Sequence, residues 1–193
     1  MKFTIRSKQW RTCYGQSLVE FAIVLPILLM LLLGVVDHAR AILFNNILIN
    51  MSREGANLAA RSAQTSQFII AALNFSAIPL NMPQHGMVYI TRVSWVDDGA
   101  GNVVAQVDEQ YRATSGNGNL SLPSRLWSCP SWDASTGKCN LPASAQARIV
   151  TVALPLPAVA GSEARIAETI YHYTPLTTYV MKNALELYSW TLL

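Results

Sequence analysis

Residues 15–36 read GQSLVEFAIVLPILLMLLLGVV, and the fold depends on the nature of this run. From Phe21 to Val36, sixteen residues carry no charge and no hydrogen-bonding side chain; counting from Leu18 gives nineteen, interrupted by Glu20 alone. At about 1.5 Å per helical residue the nineteen extend roughly 28 Å, close to a bilayer core of about 30 Å. The run therefore predicts one membrane-spanning helix over about 18–36. A carboxylate at mid-membrane costs about 2.5–3.5 kcal/mol on insertion scales, and less near the edge. Glu20 needs a reason to be there.

Working outward, the formal net charge of +3 is unevenly spread. Lys2, Arg6, Lys8 and Arg11 precede Gly15 without an acid among them, and the residues beyond Gly15 include ten basic and eleven acidic side chains. No basic face for nucleic acid is left. The four cations instead orient the helix, with the N-terminus cytoplasmic and the bulk of the chain across the membrane. At 51% apolar and 13% charged, the 193 residues suit one ordinary domain plus an anchor. Cys13 lies in the basic leader. Cys129 and Cys139 flank the turn-rich CPSWDASTGKC and predict a disulfide in an oxidising compartment such as a periplasm. Zinc needs four ligands, and nothing nearby supplies the others.

Beyond Val36 the period becomes that of an amphipathic helix. Phe44, Ile47, Leu48, Met51, Gly55, Leu58, Ala59 and Ser62 recur by threes and fours, with Asn45, Asn46, Asn50, Arg53, Asn57 and Arg61 largely between them. One helix over 16–63 is expected, transmembrane in its first half. Gly55, Ala56, Ala59, Ala60 and Ala63 invite close approach by a sheet or another helix. A short second helix fits Phe68–Phe75. MVYITRVSWV and VVAQVDEQYRA alternate about a DDGAGN turn and predict a hairpin, with the turn read as solvated rather than as a calcium loop. Residues 114–143 read as a surface excursion stapled by the disulfide, with Trp127 and Trp132 covering core. ARIVTVALPL and ARIAETIYHY look like further strands, and LTTYVMKNALELYSW like a closing helix. The expected class is α+β: a long N-terminal helix packed on a small antiparallel sheet, closed by a C-terminal helix, with 64–193 forming the head.

Chemistry-bearing patterns are scarce. His38, His85 and His172 have no metal-ligand neighbours at useful spacing, so no metal or cofactor is expected. Ser135 and Lys138 have the Ser-x-x-Lys spacing of some acyl enzymes, but sit in a turn without companion motifs. Proteolysis after Gly15 would expose an amino group at Gln16, four residues before Glu20 and on the same face of the first turns. Such a cation, a chain's own or a neighbour's, makes the carboxylate tolerable near the positive end of a helix dipole.

A basic leader, Gly15, glutamate at the fifth position after it and an apolar helix resemble a type IV prepilin signal. More narrowly, GQSLVEFAIVLPILLMLLLGVVDHARAILFNNILINMSREGANLAARSA is similar to the N-terminal region of TadE-like pseudopilins, minor pilins of the tight-adherence (Tad/Flp) pilus system. The likeness rests on the G-Q-x-x-V-E-F start, the leucine run with Pro26, the stop around Asp37–Arg40 and the SREGANLAAR ending; ETIYHYTPL is more weakly similar. The resemblance implies a leader at 1–15, cleavage between Gly15 and Gln16 by a prepilin peptidase, and Glu20 as the assembly glutamate. It further implies a non-enzymatic subunit that meets membrane lipid, other Tad pilins and pseudopilins, and an inner-membrane assembly platform. The place is the bacterial inner membrane with the head periplasmic, or the cell surface within a pilus, where the subunit serves pilus assembly or adhesion. Gln16 stands where ordinary type IV pilins have phenylalanine, and the large head favours an accessory or tip subunit. The rival readings are a secreted domain cut after Ala39–Ala41 and an uncleaved membrane-anchored sensor or enzyme.

Overall fold

The computed structural model describes residues 16–114, 122–155, 159–176 and 184–193. The leader expected at 1–15, with Gly15 and Cys13, lies outside the described residues. Helix α1 runs without interruption from Gln16 to Arg61, 46 residues, roughly 69 Å at the α-helical rise. Leucine, methionine and alanine favour it, and Pro26 forfeits one ladder hydrogen bond without ending it. After Arg61 the chain turns, and the Thr65 hydroxyl caps α2 (Ser66–Ser76) by accepting from the Phe68 amide at 3.4 Å. A single turn, α3 (Met82–His85), leads into the sheet.

Strands β1 (Gly86–Asp97) and β2 (Val103–Arg112) form the expected hairpin, and β3 (Glu163–Tyr173) and β4 (Leu185–Leu192) complete an antiparallel sheet of order β2-β1-β3-β4. The hairpin turn is self-contained: the Asp98 carboxylate accepts from the amides of Ala100 (2.8 Å) and Asn102 (3.1 Å). Those bonds hold its pKa below the ordinary carboxylate value.

The second half of α1 lies along β3 and β4, antiparallel to β3. Alternate residues of the two strands meet the helix, as the period of two requires. Thr169 donates to the Leu48 carbonyl at 3.1 Å, and the Ser52 hydroxyl lies 2.9 Å from Ser189 and 3.0 Å from Thr191. Of the small-residue seam, Gly55 and Ala56 are buried and Ala59 half-buried, while Ala60 and Ala63 are exposed beyond the contact. A Cβ on Gly55 would stand 2.8 Å from Leu73 of α2 and 3.1 Å from Ala167 of β3, so any side chain here must displace both buried neighbours. Phe44 packs edge-on against Tyr171 and Tyr173, with ring centroids 5.7 and 5.5 Å apart.

The sheet's other face is covered by irregular chain. Glu168, fully buried in β3, holds that cover in place. One carboxylate oxygen accepts from the amides of Arg125 and Leu126 (3.1 Å each) and from the Tyr188 hydroxyl (2.9 Å), the other from Ser124 Oγ at 2.5 Å. Burial raises the Glu168 pKa, with these four donors opposing it, and it also raises that of Tyr188. The Arg125 guanidinium stacks over the Tyr188 ring, 4.6 Å from its centre, and pairs with Glu186 at 2.5 Å. A disulfide joins Cys129 to Cys139, and Cys139 is tied to the edge of β2 through its amide to the Gln110 carbonyl at 2.8 Å. Trp127 packs over the cluster of Val93, Trp95 and Ile166, and Trp132 lies against Tyr89 with Arg112 across its ring. Both tryptophans cover core.

Two expectations need correction. ARIVTVALPL forms no strand over its described residues, 147–155. It holds the end of a 3₁₀ turn (Gln146–Arg148) and a single bridge from Ile149 to Gln106, because its apolar residues, Val150 and Leu154 among them, cap the sheet's second face instead of extending its edge. The closing helix is not formed where it was expected over LELYSW. Residues 185–192 are β4, paired with β3 from Tyr173↔Leu185 to Ile166↔Leu192; residues 177–183 lie outside the described set. Leu187, Ser189 and Thr191 turn toward α1 while Tyr188 and Trp190 meet the loop cover, so both faces are occupied and alternation is lost from the sequence.

Three outcomes are expected. Gly55→Leu forces Leu73 and Ala167 apart and lowers stability by about 1–3 kcal/mol, read by urea unfolding of the detergent-solubilised chain. Because the folded state keeps the Glu168 proton to higher pH than the unfolded chain does, stability falls as pH rises above the ordinary 4.5 toward the raised value. In Glu168→Gln that part of the slope disappears from the same titration. Alkylation of the non-reduced protein leaves Cys129 and Cys139 unmodified, and reduction exposes both.

Candidate membrane anchor and assembly segment

Every residue from Ser17 to Leu33 is exposed, although nearly all are large and apolar. This part of α1 stands clear of the head. The stretch 17–61 is the one described helix long and apolar enough to cross a membrane, with a mean hydropathy of 2.8 over its most apolar window, of which 6% is buried. Seventeen bare residues give roughly 26 Å of apolar surface, near the thickness of a bilayer core.

Within α1, Gln16 is the first helical residue and Glu20 comes one turn later, exposed on the bare segment. Their spacing of four places the two positions on one helix face. Gly15 lies outside the described residues.

The anchor joins the head at Asp37, which the sequence shows only as part of a polar stop. Asp37 is fully buried: its carboxylate accepts from the Leu176 amide at 2.8 Å, and its backbone carbonyl accepts from the Tyr173 hydroxyl at 3.1 Å. These bonds tie the lower end of β3 to the helix where it leaves the head. A signal was present: Asp37, Ala41, Phe44, Leu48, Met51 and Gly55 are the buried face of α1 at steps of three and four, so the acid occupies a core position. An acid at such a position calls for donors from the packed partner. Glu168 gave no comparable signal, since an acid within a β-branched and aromatic run reads as an outward-facing residue.

The remaining candidates separate in space. Ser135 donates to the Asp133 carboxylate at 2.7 Å, while the Lys138 ammonium lies over the Tyr111 ring, 5.7 Å from its centre. The Asp133 pKa is lowered to about 2 by hydrogen bonds from Ser135 and Thr136, as in a self-capped turn. His38 bonds the Gly34 carbonyl at 2.8 Å, and His85 sits edge-on to Tyr171. Among the described residues, no group of three or more His, Cys, Asp or Glu is placed to hold a metal ion.

No curated protein and no solved structure matches the chain. The bare helix, the Asp37 junction and the glycine seam at residue 55 nevertheless fall together within a match to a family model, that of the TadE-like proteins, which covers residues 15–57.

Proposed function

We propose that the chain is a minor pilin of a Tad/Flp-type pilus, a structural subunit rather than an enzyme. The supporting observation is the coincidence of the family match at 15–57 with a helix that is bare and apolar as far as Leu33 and packed on a sheet beyond it. In this reading the leader keeps the N-terminus cytoplasmic, the bare segment spans the inner membrane, and the head stands in the periplasm, where a Cys129–Cys139 bridge persists. A prepilin peptidase cuts between Gly15 and Gln16. The freed amino group and the Glu20 carboxylate then lie one turn apart. When helices of this and other Tad pilins bundle at the assembly platform, the amino group of one chain can meet the carboxylate of its neighbour. In low dielectric such a pair sets register between helices more than it adds stability. The subunit's contribution to adhesion comes from carrying its head on an assembled pilus.

A cut after Ala41, as in the secreted alternative, would remove Asp37 and Ala41 and sever α1 three residues before Phe44, at the edge of the core. N-terminal sequencing of the membrane-extracted protein separates the readings. A start at Gln16 is expected; a start at Ile42 or an intact Met1 overturns the pilin assignment. Gly15→Ala is expected to accumulate as precursor, whereas Glu20→Ala is cleaved but depleted from sheared pili. Normal piliation by Glu20→Ala removes the assembly role.

A further inference from the structure

The outer surface of α1 does not change character at Val36. Gly34 and Asp37 are covered by the head, yet the opposite side of the same turns stays exposed and, apart from His38, apolar: Val35, Val36, Ala39, Ile42 (62% exposed) and Leu43 (50%). Exposed polar side chains become regular only from Asn46. From Leu18 to Leu43 this face extends over roughly 39 Å, more than a hydrocarbon core of about 30 Å and within the 40–45 Å that includes the headgroups.

The polar groups of these turns are arranged as they are where water is scarce. His38 bonds the carbonyl one turn back, Asp37 is enclosed by Tyr173 and the Leu176 amide, and the Arg40 guanidinium lies 5.6 Å from the centre of the Phe44 ring. The head adds apolar residues at the same level. Leu176, whose amide holds Asp37, is 62% exposed, and Leu185, opposite Tyr173 at the start of β4, is 44% exposed.

We infer that the head is seated in the membrane rather than held above it. Residues 35–43 of α1, with Leu176 and Leu185, lie in the outer interface against phospholipid headgroups and upper acyl chains. Continuity points to lipid as the occupant: the patch carries the apolar surface of the bare anchor onward, with His38 the one exposed polar side chain among its residues 35–43 and one of its ring nitrogens bonded to the Gly34 carbonyl. The inference rests on the anchor reading proposed above and moves the water boundary from Val36 to about Leu43. It also means that extraction into a pilus must strip lipid from the foot of the head as well as from the helix.

Depth measurement tests this. The full chain with Cys13→Ser and its disulfide kept oxidised receives one labelled cysteine at a time, as Leu29→Cys, Leu43→Cys, Asn50→Cys, Ser135→Cys or Leu176→Cys. Each carries an environment-sensitive fluorophore in phosphatidylethanolamine–phosphatidylglycerol vesicles. Labels at 43 and 176 are expected to be quenched by nitroxide lipids, as at 29, with iodide quenching several-fold weaker than at 50 and 135. Iodide quenching at 43 and 176 equal to that at 50, with 29 still reached by nitroxide lipid, overturns the seated head and leaves the anchor standing. Labels at 43 and 176 shielded from both quenchers mean that a second copy covers the patch, which also overturns it. Iodide access at 29 removes the anchor reading itself.

Discussion

One helix serves two kinds of surroundings: α1 keeps a single direction while its first part stands bare and apolar and its second part packs on a sheet. As far as Leu33 it is exposed among the described residues; from Gly34 onward its inward groups find partners in the head. Thr169 to the Leu48 carbonyl, Ser52 to Ser189 and Thr191, and Tyr173 to the Asp37 carbonyl set the height of the helix on the sheet. With that height fixed, Gly55 meets Ala167 and Leu73, α2 packs behind it, and β1 enters the sheet at the level of Tyr171. A slip of one residue would turn each hydroxyl away from the helix and an opposite-face side chain toward it.

The sheet is consequently closed on both faces. Helices cover one, and the other is roofed by chain with almost no regular structure. Such a roof has few backbone hydrogen bonds of its own, so side chains must supply the attachment. Glu168 does so from below with four acceptor contacts, the disulfide closes the loop upon itself, and Trp127 fills the space between. A buried acid is a costly fastener, since each donor it holds would be left without a partner if it were removed.

This construction explains how much of the fold was legible in the sequence. The bare helix, its amphipathic continuation, the Asp98 hairpin turn and the cysteine pair rest on local signals, and local signals were sufficient. Residues 185–192 misled because a strand covered on both faces loses its alternation, leaving Leu-Glu-Leu-Tyr to read as helix. Residues 147–155 misled in the opposite sense: Ile149, Val150 and Val152 have strand propensity, but this segment belongs to the roof, where tertiary packing overrides it. Of the candidate site, Gln16 and Glu20 were visible by spacing alone. Asp37 was visible only as a charge, because its role depends on donors from 136 and more residues away.

The course of α1 along β3 and β4 has a mechanical consequence. Its cross-links to the sheet are strung along the helix, from Asp37 and Leu48 against β3 to Ser52 against β4. A pull on the anchor, as when a subunit is drawn from one place to another, loads them side by side in shear instead of peeling them open in turn. Force applied at the far end of a bare rod is thus shared by the whole contact before any single bond is asked to yield.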